Sequence, residues 1–182
     1  MCKLCETKPV YEFTNKRKLC KRCFINYFQK KVLYTIRKFN MIKRGDIVGY
    51  KGANDFKGVV LEDVLKMFSE KAGIKFVKLP NKKTNKIAID SSIDSEAENV
   101  IKTLIEGNVS ELKRDLPVQG NIIKPLYLFL DEEILLYAKL KNLKFKKSKA
   151  KKDKIKTFED EFERKHPEVK RAIVNSILEL YK

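Results

Sequence analysis

Nowhere in these 182 residues does an apolar run approach the roughly 18 to 20 residues that a membrane-spanning helix needs, and the first residues are basic and cysteine-bearing where a signal peptide would be apolar. The chain is therefore expected to be cytoplasmic, with no membrane partner. Acidic residues are scarce: 24 Asp and Glu face 41 Lys and Arg, a net charge of +17 with a pI near 9.7. An excess of that sign makes a polyanion the expected partner, and nucleic acid fits better than a lipid surface. Histidine occurs once, as His166 before Pro167, which reads as a surface or packing residue rather than a ligand. Cysteine is absent after Cys23, so any thiol chemistry is confined to the first 23 residues. What remains is a chain with 43% hydrophobic residues, enough for a proper core, in one domain or in a small module joined to a domain of about 100 to 150 residues.

Residues 1–44 form the first segment. Cys2-x2-Cys5 and Cys20-x2-Cys23, with fourteen residues between the pairs, have the spacing of a four-thiolate zinc site built on two tight turns. Four thiolates leave the ion no open position, so the zinc is expected to be structural. An iron–sulfur cluster is the alternative, and a reducing cytoplasm argues against two disulfides. Between the pairs, Pro9 to Thr14 reads as one arm of a hairpin turning at Asn15-Lys16. From Phe24 to Phe39, the residues Ile25, Phe28, Val32, Ile36 and Phe39 recur at helical spacing, with Lys30, Lys31, Arg37 and Lys38 on the other side. Thirteen Lys or Arg against Glu6 and Glu12 give this segment +11 of the charge. Lys16, Arg17, Lys18, Lys21 and Arg22 crowd the knuckle near Tyr11, Phe13 and Tyr27. With the four helix cations they form a candidate RNA-binding set. Phe13 and Phe28 read more naturally as core.

Residues 45–143 alternate strands and helices: a strand at Asp46 to Tyr50, a helix from Lys57 to Lys71 stopped by Gly73, strands at Ile74 to Leu79 and Lys86 to Asp90, and helices at Ser95 to Ile105 and Asp131 to Leu140. This order predicts an α/β fold with a reduced, mainly parallel sheet holding three or four parallel strands, and ligands at the strands' carboxyl ends. A strand, a loop and a helix between Asp46 and Leu65 are the parts of a phosphate cradle. The loop itself, Lys51-Gly52-Ala53-Asn54-Asp55-Phe56, offers one early glycine, no Ser or Thr, and a phenylalanine where the helix should begin. It reads as a site that is built but holds no ATP.

The order of a double-CxxC knuckle, a basic helix, the Gly45-Asp46 strand with its loop, the run from Ile87 to Val100 and Ile123-Lys124-Pro125-Leu126 resembles the PP-loop ATP pyrophosphatases that 2-thiolate tRNA uridines. That family's loop reads Ser-Gly-Gly-Lys-Asp-Ser, and its later segment Ile-Ala-x-Gly-His-Asn-x-Asp-Asp-Glu-Ala. Here one glycine and Asp55 survive in the loop. The segment Asp90-Ser91-Ser92-Ile93-Asp94-Ser95-Glu96-Ala97 has lost Gly-His-Asn and one aspartate. Ile123 to Leu126 is intact and is followed by Glu132, Glu133, Tyr137 and Ala138. Family enzymes carry further cysteines for sulfur transfer, and this chain has none. The resemblance implies an adenine nucleotide alpha hydrolase-like fold and a degenerate relative of the enzymes. Such a chain would be the non-catalytic second subunit of the cytoplasmic complex that thiolates the tRNA wobble uridine (U34). It would bind tRNA and pair with a catalytic PP-loop subunit as a heterodimer or heterotetramer. The alternatives are a stand-alone zinc-containing RNA-binding protein and an active ATP-dependent sulfurtransferase with a variant loop.

Residues 144–182 close the chain. Lys141 to Lys156 holds nine lysines and one acid, Asp153, and reads as a solvated loop able to lie along a phosphate backbone. Helical faces follow, broken near His166-Pro167.

Overall fold

The computed structural model describes residues 1–146 and 154–181. It opens with a hairpin of β1 (Tyr11–Glu12) and β2 (Lys18–Leu19), antiparallel, with Lys16 at the turn in left-handed backbone (φ 64°). α1 (Lys21–Lys38) begins three residues earlier than the apolar period suggested, so Cys23 lies in its first turn. The main sheet contains β3 (Ile47–Tyr50), β4 (Lys75–Lys78), β5 (Lys86–Ala88), β6 (Val118–Gln119) and β7 (Ile122–Ile123) in the order β4-β3-β5-β7-β6. Four of these strands are parallel, with Val48 opposite both Phe76 and Lys86, and Ile87 opposite Ile122. The edge strand β6 runs antiparallel to β7.

Each helix is explained by its ends and its apolar face. α2 (Phe56–Ala72) starts where the Asp55 carboxylate accepts from the Gly58 N–H at 2.8 Å, and it stops at Gly73, whose φ of 65° suits a residue without Cβ. Between these ends Val60, Leu61, Val64, Leu65 and Phe68 are buried. α3 (Ile93–Ile105) is capped by Ser92 and carries Asp94 and Glu96 in its first turn, where the helix dipole favours anions. A 3-10 segment, Val109–Asp115, leads to the β6–β7 hairpin, and α4 (Asp131–Leu140) follows. α5 (Lys154–Lys165) and α6 (Val169–Leu180) flank the His166-Pro167 break.

One core joins the cysteine-bearing segment to the α/β body. Phe28 of α1 lies 4.2 Å, ring to ring, from both Phe129 and Tyr137. The boundary at residue 44 is thus one of composition, and α1 packs as a layer of the whole. α6 buries Val174 and Ile177 beside Ile93, Ala97 and Val100 of α3. Most of the lysine-rich stretch expected to be a solvated loop lies outside the described residues. Its beginning is packed: Leu143 and Phe145 sit on the main core, and the Lys146 N–H donates to the Asn54 carbonyl at 2.7 Å.

Candidate functional site

The loop after β3 and the turn after β5 enclose a polar cleft of roughly 370 Å3 at the carboxyl ends of the strands. Asp55, Phe56, Lys57, Asp90, Ser91, Ser95 and Asp131 line it. Its centre is Lys57, the second residue of α2. The Lys57 ammonium donates to Ser92 Oγ at 2.9 Å and Ser95 Oγ at 2.7 Å, and lies 2.8 Å from Asp131 Oδ1. The Ser92 hydroxyl donates to the same carboxylate oxygen. Three elements, α2, α3 and α4, therefore meet on one internal cation.

The helix N-termini that could cradle a phosphate are engaged by their own caps, Asp55 at α2 and Ser92 at α3. The loop is also pressed onto its helix. A Cβ at Gly58 would stand 2.3 Å from Ala53 Cβ, so no side chain fits there. Phe56, the first helical residue, meets Phe145 edge-on at 6.4 Å. Lys51, Gly52 and Asn54 are exposed and Ala53 is half-buried. Asp94 is committed elsewhere: it accepts from the Asp131 N–H at 2.7 Å and from the buried Lys170 ammonium at 2.9 Å. Burial raises the Asp90 carboxyl above its ordinary range, with Asp55 adding and Lys57 and Lys51 opposing.

Beside the cleft, Glu96 and Lys124 form an ion pair at 2.7 Å with side chains 1% and 5% exposed. Lys124 also donates to the Arg114 carbonyl at 2.9 Å, and Ser91 donates to Glu96. Burial raises the Glu96 carboxyl despite the pull of Lys124.

The four cysteines converge as their spacing predicted. All four sulfurs lie within 4.8 Å of one another, with Cys5 to Cys20 at 3.3 Å and Cys5 to Cys23 at 3.6 Å. A single tetrahedral ion with Zn–S bonds of about 2.3 Å needs sulfurs about 3.8 Å apart, so the tetrad has the dimensions of a one-ion site. A four-iron cube takes one thiolate at each corner and would spread them wider. The tetrad can hold a metal, and its role there would be to fasten the hairpin to α1.

The cationic residues divide into groups. Lys16, Lys21, Arg22, Lys30, Arg37 and Lys38 are exposed. Lys18 lies 3.1 Å from Glu12, and the Arg17 guanidinium stacks 5.4 Å from Phe13 and 5.6 Å from Tyr27. Lys31 leaves the exposed set. Its ammonium sits 4.5 Å over Phe129 and 3.5 Å from Glu133, with the side chain 16% exposed. Glu133 is fully buried and also accepts from Arg171 at 3.1 Å, Tyr27 at 3.4 Å and the Leu130 N–H at 2.9 Å. This carboxylate ties α1, α4 and α6 together. Sequence reasoning gave Glu133 only as part of the family-like segment and Lys57 only as the start of a helix, because a charged residue carries no sign of burial.

The sheet order, the capped cleft and the cysteine module define a mainly parallel α/β domain fronted by a four-cysteine knuckle that can hold a metal. Among solved structures, the U34-tRNA thiolase NcsA from Methanococcus maripaludis with its [4Fe-4S] cluster matches with a TM-score of 0.77, covering 98% of this chain and 86% of that chain at 20% identity. Among curated proteins, the chain is similar to cytoplasmic tRNA 2-thiolation protein 1 of Kluyveromyces lactis, 28% identical over 148 residues and 78% of this chain. Proteins of the same name from Saccharomyces cerevisiae and Eremothecium gossypii are 26% and 25% identical over 146 residues. The chain spans 36 to 38% of the length of these relatives. No protein-family model matches. The similarity to PP-loop tRNA thiolation proteins expected from the sequence is thus found, and the matched relatives carry the name protein 1.

Proposed function

We propose that this chain is a non-catalytic, cytoplasmic component of tRNA wobble-uridine 2-thiolation, which binds tRNA through its metal module and α1 and supports a catalytic PP-loop partner. The observation that carries the reading is the Lys57 ammonium, held by Ser92, Ser95 and Asp131 in the cleft where a nucleotide's phosphates would otherwise lie. The ammonium already has three oxygens of the chain around it and would have to give up these contacts to meet a phosphate. Thiol content supports the same view, since the four cysteines of these 182 residues converge in one tetrad. Zinc as a structural ion fits the sulfur spacing, and the net charge of +17 suits a phosphate backbone.

Reconstitution tests this. Purified chain, unmodified tRNA and an intact PP-loop thiolase of the same cell are mixed, and U34 thiolation and complex formation are followed. The expected result is a ternary complex, with no thiolation by the chain alone when ATP and a sulfur donor are supplied. Thiolation by the chain alone, or failure to bind both tRNA and the enzyme, would overturn the proposal.

A further inference from the structure

α1 has two long faces. One buries Phe24, Phe28, Val32 and Ile36. Another presents Cys23, Tyr27, Lys30 and Tyr34, recurring every three or four residues along the helix. With Leu4 from the first cysteine turn and Arg17 from the hairpin, this second face walls a groove of roughly 460 Å3. Two of its apolar rim residues are open to solvent, Leu4 at 64% and Tyr34 at 55%. Large apolar side chains left open along the lining of one groove mark a contact surface. Its charge is one-sided: Arg17, Lys30 and Lys31 line it, with no carboxylate among the described lining residues.

We propose that this groove is a subsite for one unstacked nucleobase of a single-stranded RNA segment, a proposal that rests on the tRNA-binding reading above. The occupant must offer a flat apolar body to Tyr34 and Leu4, an edge to the Asn26 amide, and an anion to Lys30 and Arg17. A nucleotide meets all three requirements. Bases in a duplex do not, because they are already stacked and cannot enter. Tyr27 forms the floor, fixed by its hydroxyl on Glu133 and by Arg17 stacked 5.6 Å away. Tyr34 supplies the stacking face. An acidic peptide would use the cations but gain little from Tyr34.

The test measures tRNA affinity by fluorescence anisotropy at several salt concentrations for the full chain and three variants. Tyr34→Ala is expected to weaken binding about tenfold, as for the loss of one base stack. Its salt slope should stay that of the parent, while Tyr34→Phe binds normally. Lys30→Gln should instead lower the salt slope by about 1. Circular dichroism and metal content establish that each variant is folded, which is expected at a position as exposed as Tyr34. A duplex RNA competitor should bind parent and Tyr34→Ala equally. If the parent binds tRNA and Tyr34→Ala binds it equally well, the subsite is overturned while the tRNA reading stands. If the parent binds no tRNA, that reading fails first. If a polyglutamate peptide binds and Tyr34→Ala abolishes it, the groove is a peptide site and the proposal is overturned.

Discussion

Lys57 Nζ lies 2.8 Å from Asp131 Oδ1, joining the first turn of α2 to the first turn of α4 across the carboxyl end of the sheet. The contact is partly buried, with side chains 16% and 25% exposed. It forms a junction between the two helices on the wall of the cleft.

Lys57→Met should therefore destabilise the fold by about 1 to 3 kcal/mol, the cost of leaving Asp131, Ser92 and Ser95 without their shared donor. Urea unfolding measures it. A midpoint equal to that of the parent would mean that the junction contributes nothing.

The pair Glu96–Lys124 is better shielded, so its variants separate charge burial from packing. Lys124→Met alone strands a buried carboxylate and should cost about 3 to 5 kcal/mol, whereas adding Glu96→Leu should regain most of that loss. Denaturant curves for the two single variants and the double complete the cycle. A double variant no better than Lys124→Met would contradict the account.

Lys31 gives a pH signature. Burial pulls its ammonium down to about 8, Arg171 adds to that, and Glu133 opposes it. Above that value the folded chain has released a proton that the unfolded chain still holds, so stability gains a rising contribution between pH 8 and the ordinary lysine value of about 10.4. Below pH 8 the charged, buried amine is carried at its full cost. Stability of the parent relative to Lys31→Met should therefore increase from pH 7 to pH 9.5. Parallel pH profiles would refute the burial of this amine as described.

Metal content tests the tetrad. The chain should purify with one zinc and without the visible absorbance of an iron–sulfur cluster, and Cys20→Ser should lose the ion and melt the β1–β2 hairpin. Undiminished zinc in Cys20→Ser would contradict the four-thiolate assignment.

Much of the frame was legible because local pattern and tertiary role coincide. The cysteine pairs lie close in sequence, and α4 has the residues Asp131 to Leu140 expected after the Ile123-Lys124-Pro125-Leu126 segment. α2 buries Val60, Val64, Leu65 and Phe68, which recur at helical spacing in the sequence. Other parts follow no local rule. The two-residue strands β6 and β7 are too short for periodicity, and the 3-10 segment from Val109 to Asp115 has no helical stripe. Lys31 and Glu133 look like surface charges until α1 and α4 meet. Phe145 sits within a run of lysines, so its packing against Phe56 becomes visible only when the chain returns over the loop.

The central proposal is that the cleft at the end of the sheet, where the Lys57 ammonium is held by the chain's own oxygens, binds no nucleotide. Isothermal titration of the purified chain with ATP and magnesium tests it most directly. The account predicts no saturable binding, and binding with a micromolar Kd would contradict it.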